Sequence, residues 1–162
     1  MDTMTMQEKL LSLLSKVDRK GVDKLIEYIK NSDYMTAPHS EAHHNVPHGL
    51  MMHSLEVMDA MFGANTARIP NDTIILTALC HDLGKTGPEG KSLEYDECSQ
   101  RSVDILDMCG VELTEDERHA ILKHDLNGMD GFLSTFLSSP LLLLLQIGDV
   151  NSIQTNKNGK AY

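Results

Sequence analysis

The chain has 162 residues, of which 41% are hydrophobic, and a formal net charge of -10 at pH 7 from 14 basic and 24 acidic side chains. This length suits one domain with a single core, and a core with 10 methionines and no tryptophan favours helices over a β-sandwich or barrel. The acidic balance argues against sequence-independent binding of long nucleic acid, which needs a basic face. It does not exclude a small phosphorylated ligand.

The cysteines and the apolar runs indicate the compartment. Cys80, Cys98 and Cys109 have no CxxC spacing, which favours small apolar side chains in a reducing environment. The first residues lack the basic start and cleavage pattern of a signal peptide. The most apolar run, 141–147, is shorter than the roughly 20 residues that span a bilayer. We therefore expect a cytoplasmic protein without a membrane partner.

The first 32 residues predict two helices that pack on the rest of the chain. Thr5 and Glu8 have the spacing of a capping box, and leucines at helical spacing follow them. Gly21 separates this helix from a second one, whose apolar positions are Val22, Leu25, Ile26 and Ile29. The pair carries no evident chemistry, and its amphipathic faces predict a packing lid or the surface of a homodimer.

Residues 31–47 predict a loop, because Pro38 and Pro47 interrupt the helical pattern. Histidines are frequent in this loop and just after it: His39, His43, His44 and His48. A helix resumes at about Gly49, with His53 among its apolar residues, and it ends before Pro70. Asn71 and Asp72 offer acceptors for the start of the next helix, which is almost entirely apolar up to Leu83.

The remaining elements are also helical. Glycines and a proline in 84–91 predict a loop, and an amphipathic helix follows over 93–109 with Gly110 at its C-terminal cap. Thr114 and Glu117 form a second capping box. After a loop at 127–131, a last helix over 141–153 begins at Pro140, and 155–162 is a polar tail. The pattern predicts an all-α fold.

Polar residues stand out on otherwise apolar helices. His81 and Asp82 follow the apolar run 74–80, His53 lies within an apolar helix, and Asp149 follows the apolar run 141–147. Each has an ordinary explanation alone, as a hydrogen-bonded core histidine or a surface aspartate. Burial of a polar group costs free energy unless a partner compensates it. Because these four residues recur on separate apolar helices, we interpret them as four N/O ligands for a divalent ion.

These residues carry a family resemblance. The order His53, His81-Asp82, Asp149, with the continuation His81-Asp82-Leu83-Gly84-Lys85, resembles the HD superfamily of metal-dependent phosphohydrolases. The segment 43–57, HHNVPHGLMMHSLEV, is similar to a pattern of the branch that contains 3′–5′ exoribonuclease and relaxase-associated HD domains. The resemblance covers about 37–152. It implies an HD bundle of about six to seven helices at 33–154, after the helical pair at 1–32.

The resemblance also implies residue roles. His53, His81, Asp82 and Asp149 are the expected metal ligands, for one or two ions of Mn, Mg, Co, Ni, Zn or Fe. Asp82 would also orient the attacking water, Lys85 would neutralise phosphate charge, and His124 would be a general acid, a phosphate contact or a second-metal ligand. The candidate substrate-binding residues are His43, His44, Lys85 and Arg101.

The chain departs from the family pattern at a few positions. His48 stands at the position of the first glycine in the Gly-Gly-Leu motif of the family pattern. His119 and His124 stand where binuclear members carry further histidines. No nucleic-acid-binding domain accompanies the expected catalytic domain. Together with the negative charge, this favours a nucleotide or short oligonucleotide over a long nucleic acid as substrate.

Two other functions remain open at this point. The metal pocket could hold a nucleotide without turnover, as a binding module. A minor branch of the superfamily consists of di-iron oxygenases, which require two bound irons. A metal-dependent phosphohydrolase that cleaves a phosphomonoester or phosphodiester is the main expectation.

Overall fold

The computed structural model describes residues 2–87, 97–125 and 139–157. Over these ranges the chain forms seven α-helices, a single 3-10 turn at Leu83–Lys85 and no strand, which confirms the all-α prediction and the number of helices. The helices are α1 (Thr3–Ser15), α2 (Val22–Asn31), α3 (Gly49–Gly63), α4 (Asn71–Cys80), α5 (Cys98–Met108), α6 (Glu115–Lys123) and α7 (Pro140–Lys157).

One of the two predicted capping boxes is wrong. Asp2 caps α1 and accepts a hydrogen bond from the backbone N–H of Thr5 at 2.9 Å, so the helix begins before Thr5. The aspartate takes this place because its carboxylate satisfies one of the free N–H groups of the first turn. The predicted box at α6 starts where expected, since Thr114 accepts from the N–H of Glu117 at 3.1 Å.

One predicted helix cap and two predicted helix ends differ from the structure. α4 begins at Asn71 without a side-chain cap, because Asp72 instead accepts from the N–H of Asp18 at 3.1 Å. It ends at Cys80, so that Leu83 lies in the 3-10 turn. α7 continues to Lys157, past the predicted start of the tail at 155. Residues 93–96, the loop 127–131 and the tail from 158 onward lie outside the described residues.

The core is built around α3. This helix packs against α1, α4 and α7, and α5 packs against the 3-10 turn and α6. Buried apolar side chains of all seven helices form one cluster, in which α1 and α2 contribute Leu10, Leu14, Leu25 and Ile29. The N-terminal pair therefore shares the core of the bundle, while the domain boundaries at 32 and 154 stay predictions. None of the described helices has the length and apolarity needed to cross a membrane.

α2 and the segment that follows it fix the backbone around the His-Asp doublet. Tyr34, in the turn after α2, is fully buried and donates its hydroxyl to the carbonyl of Leu79, at 2.5 Å. Tyr28, on α2, shares a 2.7 Å hydrogen bond with the hydroxyl of Thr86, just after the 3-10 turn. The two tyrosines thus hold the chain on both sides of His81 and Asp82.

Candidate metal centre

The four predicted ligands meet at the junction of three helices. His53 lies in the middle of α3, His81 and Asp82 directly follow α4, and Asp149 lies on α7. His53 Nε2 is 3.0 Å from Asp149 Oδ1 and 3.2 Å from His81 Nε2. His81 Nε2 is in turn 3.1 Å from Asp82 Oδ2. Residues separated by almost 100 positions in the sequence therefore present their nitrogen and oxygen atoms to a common point.

These atoms lie close enough to hold a metal ion. The ligand atoms of His53, His81 and Asp149 all lie within 4.8 Å of one another, and the same is true of His81, Asp82 and His124. Imidazole and carboxylate groups together suit several divalent metals, so the donor set does not select one. Asp82 belongs to the centre through both oxygens, because His53 and His81 face Oδ2 while His124 Nε2 is 3.3 Å from Oδ1.

The protonation of two histidines follows from their backbone partners. His81 Nδ1 is 2.7 Å from the carbonyl oxygen of Ala78, and His124 Nδ1 is 2.7 Å from that of Ile121. A carbonyl only accepts hydrogen bonds, so each Nδ1 carries a proton. With Nδ1 occupied in this way, Nε2 is the ring nitrogen that remains for an ion, which is the arrangement that metal-ligating histidines need. The local helical turns thus orient both rings.

The electrostatics of the centre favour charge separation. Burial lowers the pKa of His53, but hydrogen bonds with Asp149 and Asp82 outweigh it and raise the pKa to about 9. Burial is likewise outweighed at His124 by its hydrogen bond with Asp82, which raises the pKa to about 9. Burial opposes ionisation of Asp82, yet its histidine neighbours hold the pKa well below its usual range. The two carboxylates attract positive charge into a buried site, from protons or from a metal ion.

His39 belongs to this centre, although no ligand role was predicted for it. Its Nε2 is 2.5 Å from Asp82 Oδ2, and its ring centroid is 4.3 Å from that of His53. Burial lowers the pKa of His39 to about 3, against the attraction of Asp82. The neutral ring therefore donates its Nε2 proton to Asp82. The sequence signal was the histidine-rich loop, which did not show which of its members reaches the doublet.

The predicted substrate residues His43 and His44 differ in their burial and in their contacts. His43 lines a cavity above the centre and is half-buried, whereas His44 is 1% exposed and lies 2.7 Å from a Glu56 oxygen through its Nε2. The pKa of His43 falls to about 4 because of burial and the charges of His53 and His44. The geometry supports a role in the cavity wall for His43 and a buried structural contact for His44.

The cavity has a volume of about 470 Å³, within the range of small-ligand sites. Its walls include His39, His43, Asp82, Lys85, His124 and Asp149. Lys85 stands at the end of the 3-10 turn, so the Leu-Gly-Lys continuation places an ammonium group beside the doublet. A second depression of about 490 Å³ beside α7 is lined by described residues without ionisable side chains, such as Ile147 and Val150. Of these two depressions, the cavity over the doublet is the one that carries ionisable side chains.

Arg101 does not line this cavity. Its guanidinium donates to the carbonyl of Gly84 at 2.7 Å and to that of Thr86 at 3.3 Å. Arg101 therefore holds the turn that carries Lys85, and the prediction that it binds substrate has no support from the geometry. Of the two further histidines named from the sequence, His124 belongs to the centre and His119 does not join any of the close ligand groups among the described residues.

His48 has a structural explanation. Its backbone adopts φ 67°, the left-handed conformation that glycine takes most easily, which accounts for a glycine at this place in the pattern it resembles. The imidazole Nδ1 of His48 is 2.7 Å from the carbonyl of Met35 and holds the residue there. The following Gly49 is required by space, because a Cβ there would lie 1.9 Å from the carbonyl oxygen of His44. The histidine loop therefore lies directly against the start of α3.

Glu56 is a charged residue in the core, and no role was predicted for it. It is 8% exposed and lies on α3, whose buried residues cover all sides of the helix. A helix that is apolar on all sides is buried, so a glutamate within it was a signal that sequence reasoning missed. Its partners are His44 and Ser152.

No protein-family model, curated protein or solved structure matches the chain. The resemblance to HD phosphohydrolases therefore remains an interpretation of the motif.

Proposed function

We propose that this protein is a metal-dependent phosphohydrolase of the HD type, which cleaves a phosphoester of a nucleotide or short oligonucleotide. The observation that supports this most is the convergence of His53, His81, Asp82 and Asp149 under a cavity whose wall carries Lys85. The donors suit a divalent ion, and the lysine suits the anionic ligand that such an ion would bind. The cavity volume of about 470 Å³ fits a small substrate.

The residues of the centre have separate roles in this proposal. His53, His81, Asp82 and Asp149 would hold the ion. Such an ion acts as a Lewis acid on a phosphoryl oxygen and lowers the pKa of a water molecule. Asp82 Oδ1 keeps His124 Nε2 at 3.3 Å, so that carboxylate also orients a proton donor at the cavity wall.

The cavity wall supplies charge and proton transfer. Lys85 offsets the negative charge that develops on the phosphoryl group. His124, whose pKa is raised to about 9 before an ion binds, carries a proton that it can donate to the leaving oxygen. His43 is neutral at pH 7, because its pKa is about 4, and serves as a hydrogen-bonding partner rather than as a cation.

The test is a metal-restored activity screen. The protein is stripped with a chelator, reloaded with Mn²⁺, Co²⁺, Mg²⁺, Ni²⁺, Zn²⁺ or Fe²⁺, and assayed on nucleotides, cyclic dinucleotides and short RNA or DNA. We expect metal-dependent release of phosphate or nucleotide that is lost in His81→Ala and Asp82→Ala. His119→Ala is the matched control, since this histidine lies outside the close ligand groups.

Other outcomes would replace the proposal. Nucleotide binding to the metal-loaded protein without product would show a binding module instead. Two bound irons with oxygen consumption would indicate an oxygenase, for which the close ligand groups of the described residues offer His39, His43, His44 and His124 beyond the first ligand set. Absence of both binding and turnover with every metal would overturn the phosphohydrolase.

A further inference from the structure

Glu56 is a buried carboxylate next to the proposed metal centre that ligates nothing itself. Its side chain is 7% exposed, and a buried charge of this kind is costly unless hydrogen bonds satisfy it. Two donors meet the same oxygen: the Ser152 hydroxyl lies 2.5 Å from Oε2 and His44 Nε2 lies 2.7 Å from it. The carboxylate thus joins α3, α7 and the histidine loop.

The serine connects Glu56 to the ligand His53. An ionised carboxylate only accepts hydrogen bonds, so the hydroxyl proton of Ser152 points to Glu56. The serine oxygen then accepts from His53 Nδ1, which lies 3.0 Å away. This direction fixes the proton on Nδ1 and leaves His53 Nε2, 3.0 Å from Asp149 Oδ1, as the atom available to an ion.

α7 consequently contacts both nitrogens of one ring. Asp149 and Ser152 are three residues apart on this helix and share a face. One lies beside Nε2 and the other beside Nδ1 of His53. Both His53 and Ser152 have no exposed surface, so the contact of Nδ1 with Ser152 is shielded from water, whereas Asp149, beside Nε2, lines the cavity.

The contact of Glu56 with His44 continues to His43, which lines the cavity. His44 donates its Nε2 proton to Glu56, and its Nδ1 lies 2.9 Å from Nδ1 of His43. In this contact one Nδ1 donates and the other accepts, so the ring of His43 is held by the ring of His44. Glu56 therefore sets the orientation of a cavity residue as well as that of a ligand.

We propose that Glu56 is a positioning residue of the centre, which acts on the ligand His53 through Ser152 and on the cavity residue His43 through His44. This inference rests on the proposed metal site. Outer groups that orient ligating histidines typically contribute 10–100-fold to metal affinity. Glu56→Gln keeps the shape but presents an amide N–H, which reverses the Ser152 hydroxyl and favours the wrong protonation of His53.

The test measures metal binding directly, without a substrate. Mn²⁺ and Co²⁺ affinities are determined for the wild type, Ser152→Ala, Glu56→Gln and the double variant, and the visible spectrum of bound Co²⁺ reports its coordination. We expect each single variant to lose about 10–100-fold in affinity with an altered spectrum. The double variant loses no more than either, because both changes break one chain of contacts. Ser54→Ala, an equally buried serine beside His53, keeps wild-type affinity.

Two failures are distinguishable. If the wild type binds no ion, or His81→Ala binds as tightly, the metal site itself is wrong. If His81→Ala loses binding while Ser152→Ala and Glu56→Gln match Ser54→Ala, the site stands and the positioning role is overturned. Thermal melts of the metal-free variants separate loss of affinity from loss of fold. Additive losses of affinity in the double variant would also contradict the chain of contacts from Glu56 through Ser152 to His53.

Discussion

The imidazole of His39 and the carboxylate of Asp82 lie 2.5 Å apart, although 43 positions separate them in the sequence. The contact joins the histidine loop to the doublet after α4. Because His39 is neutral and buried, it offers Asp82 a fixed hydrogen bond without a competing charge. This hydrogen bond therefore fixes the orientation of the Asp82 carboxylate toward its other partners.

We expect His39→Ala to weaken the centre without removing it. Asp82 loses one donor, so metal affinity should fall about tenfold or more, in the range for outer groups of metal sites. Isothermal titration with Mn²⁺ measures this, and His39→Gln, which retains an N–H donor, should recover part of the loss. Unchanged affinity in His39→Ala would show that the contact does not orient Asp82.

Metal affinity should increase with pH up to about 9. Without an ion the pKa of His53 is raised to about 9, so at pH 7 its Nε2 is protonated and must release that proton when it binds metal. Below this pKa, affinity should rise about tenfold per pH unit for each proton released, and it should level off above it.

Calorimetry in buffers of different ionisation enthalpy counts these protons. One proton per ion indicates that His124 stays with Asp82, whereas two indicate that it also gives up its proton, since its pKa is likewise about 9. An affinity that does not change between pH 6 and 8 would contradict the charge state of His53.

Two glycines should tolerate no side chain. A Cβ at Gly49 would lie 1.9 Å from the carbonyl oxygen of His44, and one at Gly84 would lie 1.9 Å from that of Cys98. Gly49→Ala and Gly84→Ala should each lower the free energy of unfolding by about 1–3 kcal/mol, as overpacking does. Urea unfolding measures the loss. Gly63→Ala is the matched control, because nothing lies within 4 Å of its Cβ position, and equal stability of all three variants would refute the close packing.

The three cysteines should differ in reactivity. Burial raises the pKa of all three thiols, but Cys80 and Cys109 are buried, whereas Cys98 is partly exposed and lines the cavity. A thiol reagent at about pH 8 should label Cys98 first in the native protein, because reaction requires an accessible thiolate. Mass spectrometry identifies the site, and Cys98→Ser should leave labelling slow until denaturant is added. Rapid labelling of Cys80 in the native state would contradict the packing of α4.

The local pattern was sufficient for the fold class and for naming four of the His and Asp residues that the structure brings together. Aliphatic residues at helical spacing predicted the helices, and polar residues on apolar helices indicated His53, His81, Asp82 and Asp149. The ends of the elements were less certain from sequence. Asp2 rather than Thr5 caps α1, and α7 extends to Lys157, because neighbouring acceptors and packing decide where a helix ends.

The roles of the surrounding residues depended on the tertiary structure. Arg101 was a weaker anion-binding candidate than Lys85 in the sequence, and the structure places its guanidinium on the carbonyls of Gly84 and Thr86. No role was predicted for Glu56 from the sequence, yet it is buried on α3 against Ser152 of α7. The identity of a charged residue does not tell whether its side chain is buried or exposed. Only its neighbours in the folded structure distinguish these two cases.

The sequence by itself determined the all-helical fold and the residues of the His-Asp centre, since burial of an apolar run makes the polar residues within it conspicuous. Only the tertiary structure decided that His39 reaches Asp82, that Ser152 and Glu56 orient His53, and that Lys85 rather than Arg101 lines the cavity. These relationships join residues far apart in the chain. They depend on the path of the histidine loop and on the packing of α3 against α7, which local sequence patterns do not specify.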